Sequence, residues 1–391
     1  MSLKYKKFFF LFALLFIFSG SFLVCHAAVS WEIRNGTLYV NGSGAMTDYT
    51  SAAQTPWYAN RDNIIFVTVA GDVTHIGDYA FSSLPNLTGV SIGSSVSSIG
   101  NYSFYDNSKL MNVQIPGNVE YIGAHAFFRA TALISVTFGE GVKRIDNYSF
   151  SRCYNLRGIV FPDSLTTLGI HVFNTCDSLK TVRFGKGLKA IGSNCFYACY
   201  SLEDITIPAS VETLGEFIFS NCSRLKNATI LCPITTLPAG TFSYTPIASV
   251  TLPRTLTSID KRAFLYCTSL TTVTFKGNSS EWAKITVLED NDGLDYATVK
   301  CEETLYIVDT AYKKGMLSLS VAKEKPADGI LITAIYDHSG RFVTMKKQPI
   351  SYTETSANVT ISAPESGTVG VVLWHTIECF TPLANSDTVI Y

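Results

Sequence analysis

The chain is 391 residues long, and its 30 basic and 31 acidic residues give a formal net charge of -1. This balance gives no electrostatic reason to expect a nucleic-acid partner. Hydrophobic residues make up 47% of the chain and charged residues 16%, which excludes wholesale disorder. The length predicts two or three domains, and the 25 Phe and 20 Tyr residues suffice for a large core.

The N-terminal segment has the composition of a secretory signal peptide. A short lysine-containing stretch precedes an apolar run at residues 8–24, and small residues follow it. We expect cleavage between Ala27 and Ala28, which predicts a secreted, extracellular protein. Lipidation at Cys25 is the alternative, although the bulky Val24 before it disfavours that reaction. No later apolar stretch reaches the ~18 residues that a transmembrane helix needs, so retention at the cell surface would require another component.

The strongest signal is an internal period, because one phenylalanine recurs with seven spacings of 23 residues and one of 22. The nine positions are Phe81, Phe104, Phe127, Phe150, Phe173, Phe196, Phe219, Phe242 and Phe264. The other apolar positions keep the same register, in the pattern Val/Leu-x-x-Ile/Leu-Gly-x-x-Ala-Phe-x-x-Cys-x-x-Leu-x-x-Val-x-Ile/Phe. Nine units therefore extend from Val73 to about Asn278.

A unit of this length cannot enclose a core alone, so each coil must bury its apolar side chains against the coils on either side. The end of each unit, for example Leu202–Ile207, alternates like a half-buried strand. Stacked strands would form a parallel sheet with about 4.8 Å between coils, so that nine coils span roughly 43 Å. The predicted fold class is mostly β, a solenoid of about nine coils.

The motif Ile-Gly-x-x-Ala-Phe, as at Ile76–Phe81, resembles that of the BspA-like leucine-rich repeats of bacteria. This resemblance implies a leucine-rich-repeat solenoid with caps at both ends. Residues 35–46 together with Trp57 resemble the N-terminal cap, and Trp282 with residues 291–294 resembles the closing cap. Terminal coils must also cover an exposed core edge, a role that suits tryptophan.

The 23-residue period disappears after residue 301, where alternating runs such as Leu317–Val321 and Asn358–Ser362 predict strands. A hairpin at Asp337–Gly340 and about six or seven short strands indicate a small Ig-like β-sandwich. It could be a spacer, a docking module or a sugar-binding module. The predicted organisation is a signal peptide at 1–27, an N-terminal cap at 28–72, leucine-rich repeats at 73–278, a C-terminal cap at 279–301 and a β-sandwich domain at 302–391.

Five cysteines occupy one inward position of different units, which predicts small buried side chains. They are Cys153, Cys176, Cys199, Cys222 and Cys267. Parallel side chains in register seldom reach disulfide torsions, so free thiols are favoured over bridges. A buried asparagine ladder is not expected, because we place its position at Ser95, Asn118, Gly141 and Ser164.

No set of residues predicts catalysis, a metal site or a cofactor. The stretch Gly89–Gly93 has the form G-x-S-x-G, but Ser91 falls within a strand and not at a strand-to-helix turn. Gly185–Ala190 imitates a dinucleotide fingerprint without the required βαβ unit. Cys195 and Cys199 have a spacing that suits a metal, yet Cys195 merely replaces the core alanine of the motif.

Two sets of side chains are candidates for an interaction surface. Most of the outward strand positions form a threonine ladder that β-propensity alone explains. Charges gather in the middle coils, and these form the first candidate patch: Arg157, Lys180, Arg183, Glu203, Asp204 and Lys226. The alternative is an aromatic patch on the loop side: Tyr105, Phe128, Tyr154, Tyr197 and Tyr200. Aromatic residues often anchor interfaces, although packing along the stack would also explain them.

These observations predict a secreted or cell-surface recognition or adhesion protein that binds an extracellular protein or glycoprotein through the solenoid face. The family resemblance implies the same kind of role. The second hypothesis is a rigid extracellular spacer that displays the C-terminal domain. The third is a secreted hydrolase, for which no catalytic residues can be named.

Overall fold

The computed structural model describes residues 29–301 in full and, from residue 305 onward, the backbone of seven strands. The predicted signal peptide, its cleavage site at Ala27 and Ala28, and Cys25 lie outside the described residues. Among the helices of the described part, none has the length and apolar character needed to cross a bilayer.

The first described elements extend the solenoid at its N-terminal end. They are strands β1 (Ser30–Arg34), β2 (Thr37–Asn41) and β3 (Ser43–Ala45), the 3₁₀ helices Ala52–Gln54 and Tyr58–Asn63, and strand β4 (Phe66–Val69). Strand β1 pairs antiparallel with β2, and β2 pairs parallel with β4. The cap thus continues the parallel stacking of the coils that follow.

Each of the nine coils contributes two strands. In chain order they are β5 (Asp72–Ile76), β6 (Gly89–Ile92), β7 (Ser98–Ile99), β8 (Asn112–Ile115), β9 (Tyr121–Ile122), β10 (Ser135–Phe138), β11 (Arg144–Ile145), β12 (Gly158–Val160), β13 (Thr167–Leu168), β14 (Thr181–Arg183), β15 (Ala190–Ile191), β16 (Asp204–Ile207), β17 (Thr213–Leu214), β18 (Asn227–Ile230), β19 (Thr236–Leu237), β20 (Ser249–Leu252), β21 (Ser258–Ile259) and β22 (Thr272–Phe275). The closing cap adds α1 (Ser279–Trp282), β23 (Thr286–Val287), the 3₁₀ helix Asp292–Leu294 and β24 (Thr298–Cys301).

The strands form two parallel arrays along the solenoid. The second strands of the coils make the broad sheet, in the order β1-β2-β4-β6-β8-β10-β12-β14 and then β16-β18-β20-β22-β24. The first strands make the narrow sheet, in the order β3-β5-β7-β9-β11-β13-β15-β17 and then β19-β21-β23. Paired residues in neighbouring 23-residue coils are one repeat apart, as Gly158 and Thr181 are. The structure confirms the predicted solenoid.

A single column of phenylalanines occupies the centre of the solenoid. All nine repeated phenylalanines, from Phe81 to Phe264, have no exposed surface. Their ring centroids lie 5.0–5.9 Å from those of the neighbouring coils. Rings of adjacent coils therefore cover one another, as the repeat physics requires.

The turn between the two strands of a coil contains a backbone feature that the sequence did not predict. Two residues in every coil have positive φ, for example Tyr79 at 55° and Ser83 at 56° in coil 1. The N–H groups of Tyr79, Phe81 and Ser83 donate to carbonyls of coil 2 at 2.7–3.0 Å. The same three bonds recur at each step as far as coil 9, and we call them the turn columns.

The caps supply partners for the ends of the turn columns. At the first coil, the carbonyls of Asp78 and Ala80 accept hydrogen bonds from the Tyr49 N–H and the Trp57 indole Nε1. At the last coil, the three turn N–H groups donate to the Glu289 carbonyl and to the Asn291 and Asp292 side chains at 2.9–3.3 Å. The caps therefore satisfy backbone groups that would otherwise lack a partner.

The repeated cysteines form a hydrogen-bonded ladder. The thiols of Cys153, Cys176, Cys199 and Cys222 each donate to a phenylalanine carbonyl of the preceding coil at 3.1–3.4 Å. In coil 2 this position holds Asn107, whose amide donates to the Phe81 carbonyl. The buried polar ladder thus lies at the cysteine position, where a thiol or an amide donates, and not at the Ser95 position, which is not buried.

The seven cysteines from Cys153 to Cys267 are free, in agreement with the prediction of unpaired thiols. We expect Cys176 to resist alkylation by iodoacetamide in the native chain, because burial raises its pKa well above the usual range and the thiolate is the reactive species. The same residue should react readily in 8 M urea, a condition that serves as the control. Mass spectrometry of tryptic peptides measures both. Rapid labelling of Cys176 without denaturant would contradict the buried ladder.

The C-terminal part contains seven strands, of which the structure describes the backbone. They are β25 (Leu305–Lys313), β26 (Met316–Lys323), β27 (Gly329–Asp337), β28 (Phe342–Ile350), β29 (Ser356–Ser362), β30 (Gly367–Trp374) and β31 (Asp387–Ile390). They form two antiparallel sheets, β25-β26-β29 and β28-β27-β30-β31. Strands β27 and β28, which flank the predicted hairpin turn, pair antiparallel. The turn itself lies outside the described residues, and face-to-face packing of the sheets as a sandwich stays a prediction.

Candidate interaction surface

The predicted charged patch lies where the broad sheet is interrupted. Strands β14 and β16 belong to adjacent coils, yet the hydrogen-bonded sheet ends at one and begins again at the other. A depression of about 460 Å³ opens there, lined among others by Arg183, Phe184, Asp204 and Ile205. Residues of the predicted patch therefore line the depression on both sides, Arg183 from β14 and Asp204 from β16. The narrow sheet has a similar interruption between β17 and β19.

One edge of the broad sheet presents a regular row of side chains, which we call the corner row. It comprises Met111, Ile134, Arg157, Lys180, Glu203 and Lys226, one from each of coils 2–7. Backbone N–H groups link Ile134 to Met111, Arg157 to Ile134 and Lys180 to Arg157 at 2.8–3.2 Å. After the interruption, Lys226 is linked in the same way to Glu203 at 2.8 Å. The row therefore contains four of the six predicted patch residues in fixed order.

Both carboxylates of the patch have polar partners within the solenoid. The Lys180 Nζ atom lies 3.3 Å from Glu203 Oε1 and bridges the interruption. Asp204 Oδ1 accepts a hydrogen bond of 2.7 Å from the Asn227 amide. By contrast, the exposed Arg157, Arg183 and Lys226 side chains form no ion pair with any residue between 29 and 301. The patch therefore presents net positive charge to solvent.

Apolar side chains that the sequence analysis did not select border the cations. The exposed fractions are 43% for Met111, 38% for Ile134 and 65% for Val160. Met111 and Ile134 precede Arg157 in the corner row, and Val160 lies in the same coil as Arg157. The repeat register already placed these residues beside the charged ones, but the search considered charge alone. The surface is thus mixed in character, apolar over coils 2–4 and basic over coils 4–7.

The predicted aromatic patch divides into two separate rows. Tyr105 and Phe128 are half-buried and stack on each other with centroids 5.3 Å apart. Tyr197 shares their repeat position three coils beyond Phe128 and accepts a hydrogen bond from an asparagine amide. Tyr154 and Tyr200 occupy a different position and are exposed. The five aromatic residues therefore do not form one continuous surface.

A further aromatic column runs along the turns. Its members are Tyr79, Tyr102, His125, Tyr148 and His171, with neighbouring centroids 4.5–4.8 Å apart and nearly parallel rings. Burial lowers the pKa of both histidines. Because the ring faces cover one another, the column packs against itself and leaves little ring surface for a ligand.

The described residues contain one group with metal-ligating chemistry, formed by Asp48, His75 and Asp78, whose ligand atoms lie within 4.8 Å of one another. Asp48 comes from the cap, so sequence spacing did not reveal this group. His75 Nε2 lies 3.1 Å from Asp48 Oδ1, and its Nδ1 lies 2.7 Å from the Ser98 hydroxyl. Asp48 also accepts the Asp78 backbone N–H, which lowers the Asp48 pKa. In this arrangement the group joins the N-terminal cap to coil 1.

A parallel solenoid of short coils, with stacked phenylalanines and a buried polar ladder, defines the chain as a leucine-rich-repeat protein. The family model described as the BspA type leucine rich repeat region matches it in six copies, over residues 55–157 and 143–271. The matches cover more than half of the chain. The protein therefore belongs to the BspA-type leucine-rich-repeat family. No curated protein matches the chain.

Solved bacterial structures show similarity to the chain. A leucine-rich repeat protein from Eubacterium ventriosum is 24% identical over 64% of this chain and 84% of that one, with a TM-score of 0.37. A leucine rich cell surface protein from Faecalibacterium prausnitzii is 19% identical over 66% and 96%, with a TM-score of 0.34. A leucine-rich repeat protein from Bacteroides ovatus is 19% identical over 72% and 99%, with a TM-score of 0.38.

Proposed function

We propose that the protein is an extracellular recognition protein that binds a protein or glycoprotein partner through the broad sheet, at the patch around its interruption. The observation that supports this most directly is the exposure of Arg157, Arg183 and Lys226 without a carboxylate partner in residues 29–301. The proposal involves binding alone, without a cofactor or a reaction. The signal-like N-terminal segment supports an extracellular location.

Several other cations of the solenoid are paired with carboxylates and differ in this respect from these three. Lys143 lies 2.8 Å from Glu120, and Lys189 lies 2.7 Å from Glu212, each pair joining adjacent coils. A paired cation must give up or share its partner before it can serve a ligand, whereas an unpaired one can accept a ligand carboxylate directly. Complementary charge also raises association rates and selects among partners. A long rigid face suits such contact, because it displays side chains at fixed intervals.

The test compares the chain from Ala28 to Tyr391 with a triple variant that carries Arg157→Ala, Lys180→Ala and Arg183→Ala. Both are applied to arrays of extracellular-matrix proteins, mucins and glycans. We expect saturable binding by the parent chain and about a tenfold or larger increase in Kd for the triple variant, as for the loss of interface hot spots.

A second triple variant with Lys143→Ala, Lys189→Ala and Arg262→Ala is the matched control. It removes the same formal charge from residues that are paired with carboxylates elsewhere on the solenoid. Equal losses of binding in both variants would show that binding depends on the overall charge of the solenoid and not on the patch. Saturable binding that neither variant changes would place recognition elsewhere, and no binding by the parent chain would favour the rigid spacer.

A further inference from the structure

We infer that the partner at this face is an acidic polypeptide segment in which apolar side chains stand next to carboxylates, extended along the corner row. This inference rests on the proposed function and specifies the partner's chemistry. It depends on the order of residues along the row, where the apolar Met111 and Ile134 come first and the basic Arg157 and Lys180 follow.

The corner row has the dimensions of a short extended peptide. Adjacent coils are separated by about 4.8 Å, so the five steps from Met111 to Lys226 span roughly 24 Å. An extended chain advances about 3.3 Å per residue, which makes this span equal to about seven residues. Hydrogen bonds between the backbones of successive row members fix their spacing on each side of the interruption. A matching peptide would need little rearrangement of the solenoid.

The charged half of the row fits carboxylates. Arg157 of the row and Arg183, which lies three residues after Lys180 in coil 5, are exposed and form no ion pair within the fully described range. Both guanidinium groups can therefore bind carboxylates in the two-point geometry that arginine favours. Lys180 pairs with Glu203, whereas Asp204 keeps its charge while it accepts from the Asn227 amide, so the four cations and two carboxylates of the patch leave a net charge of 4 - 2 = +2. Charge complementarity therefore selects an acidic segment.

The apolar half of the row argues for a polypeptide over a sulfated glycan. Met111 and Ile134 of the row, and Val160 in the same coil as Arg157, are exposed apolar side chains near the cations, and exposed apolar surface often marks an interaction site. A polyanionic sugar would satisfy the cations and leave these side chains exposed to water. The depression beside Arg183 has Phe184 and Ile205 in its lining, which gives a further apolar group a place to anchor.

The test uses fluorescence anisotropy with the chain from Ala28 to Tyr391 and a labelled peptide of sequence Ser-Leu-Ser-Leu-Ser-Glu-Ser-Glu-Ser. Its alternate side chains place two leucines before two glutamates. Two further peptides replace both leucines by serine or both glutamates by lysine, and a heparin-derived oligosaccharide serves as the glycan probe. We expect the parent peptide to bind at least about tenfold more tightly than either altered peptide, since both halves of the row contribute.

Single variants of the protein locate the contact. Ile134→Ser and Arg157→Ser should each weaken binding of the parent peptide about fivefold or more, whereas Leu288→Ser, which removes an exposed apolar side chain from the closing cap, should not. Thermal unfolding of each variant checks that the fold is retained. Because Arg157 is exposed, its contribution should also fall at high salt.

The outcomes separate this inference from the proposed function. Tight oligosaccharide binding that Ile134→Ser does not change would overturn the inference and make the partner a polyanionic glycan. Array binding that depends on Arg157, Lys180 and Arg183 but is accompanied by no peptide selectivity would also overturn it, while the proposed function would stand. If the protein bound neither the arrays nor the peptides, the inference and the proposed function would both be wrong.

Discussion

Replacing Phe173 by alanine is expected to lower the free energy of unfolding of the solenoid by about 3–5 kcal/mol, the usual range for a buried phenylalanine. The ring has no exposed surface and lies in the middle of the central column. Its centroid is 5.6 Å from that of Phe150 and 5.5 Å from that of Phe196, and Phe161 contacts it edge-on at 5.7 Å. The cavity would therefore remove contacts on three sides. Urea unfolding followed by circular dichroism measures the change.

Two further variants serve as controls for Phe173→Ala. Val160→Ala also removes apolar atoms, but from an exposed side chain, and should change stability by no more than about 0.5 kcal/mol. Phe173→Leu fills part of the cavity, so its loss of stability should lie between those of Phe173→Ala and Val160→Ala. Because each coil contacts mainly its neighbours, hydrogen exchange should accelerate most in coils 4–6. Equal destabilisation by Val160→Ala and Phe173→Ala would contradict the buried column.

Replacing Trp57 by alanine should have an effect of similar size, about 3–5 kcal/mol, concentrated at the N-terminal end. Only 3% of this side chain is exposed. It stacks on Phe81 with centroids 5.7 Å apart, and its Nε1 donates to the Ala80 carbonyl at 2.9 Å. The variant would uncover the first ring of the central column and leave one turn column without its donor. Hydrogen exchange in coils 1 and 2 is the appropriate measurement.

A matched pair of substitutions separates the two roles of Trp57. Trp57→Phe keeps most of the apolar area and loses the N–H group, so it should cost about 1–3 kcal/mol, the penalty for a buried carbonyl left without a donor. Trp31→Ala removes a neighbouring indole that is 41% exposed, against 3% for Trp57, so its effect should be smaller than that of Trp57→Ala. If Trp31→Ala proved as damaging as Trp57→Ala, the capping role would be assigned to the wrong tryptophan.

The repeat made most of the fold predictable, because its physical cause is visible in the sequence. A phenylalanine every 23 residues has no use except in a stack, and the cysteines follow the same register. The positive φ values were not predictable, since residues such as Tyr79 and His125 adopt them without the glycine that usually signals this conformation. Hydrogen bonds to the next coil hold these residues there, and such bonds follow from the tertiary stacking.

The candidate surface was predictable only in part. Register placed Arg157 and Lys180 on one edge, and the structure brings them together in the corner row. The salt bridge from Lys180 to Glu203 depends on side-chain geometry that register does not specify. The repeat pattern does not predict the interruption between β14 and β16, because coils 5 and 6 keep the same length and the same apolar positions, although Phe184 is replaced by Ile207 at the last of these positions. The repeat register also places Met111 and Ile134 on this edge, but a search for charged residues alone does not select them.

The turn columns have a consequence for how such proteins change in length. Each coil offers the same three donors to the coil after it and the same three acceptors to the coil before it, so the number of coils is not specified within any coil. Duplication of 23 residues between two coils would preserve every bond and lengthen the broad sheet by about 4.8 Å. Coil 8, which is one residue shorter, still donates from Phe242 to the carbonyl of Ala263. The two caps define the ends, and the turn columns set no limit on the number of coils between them.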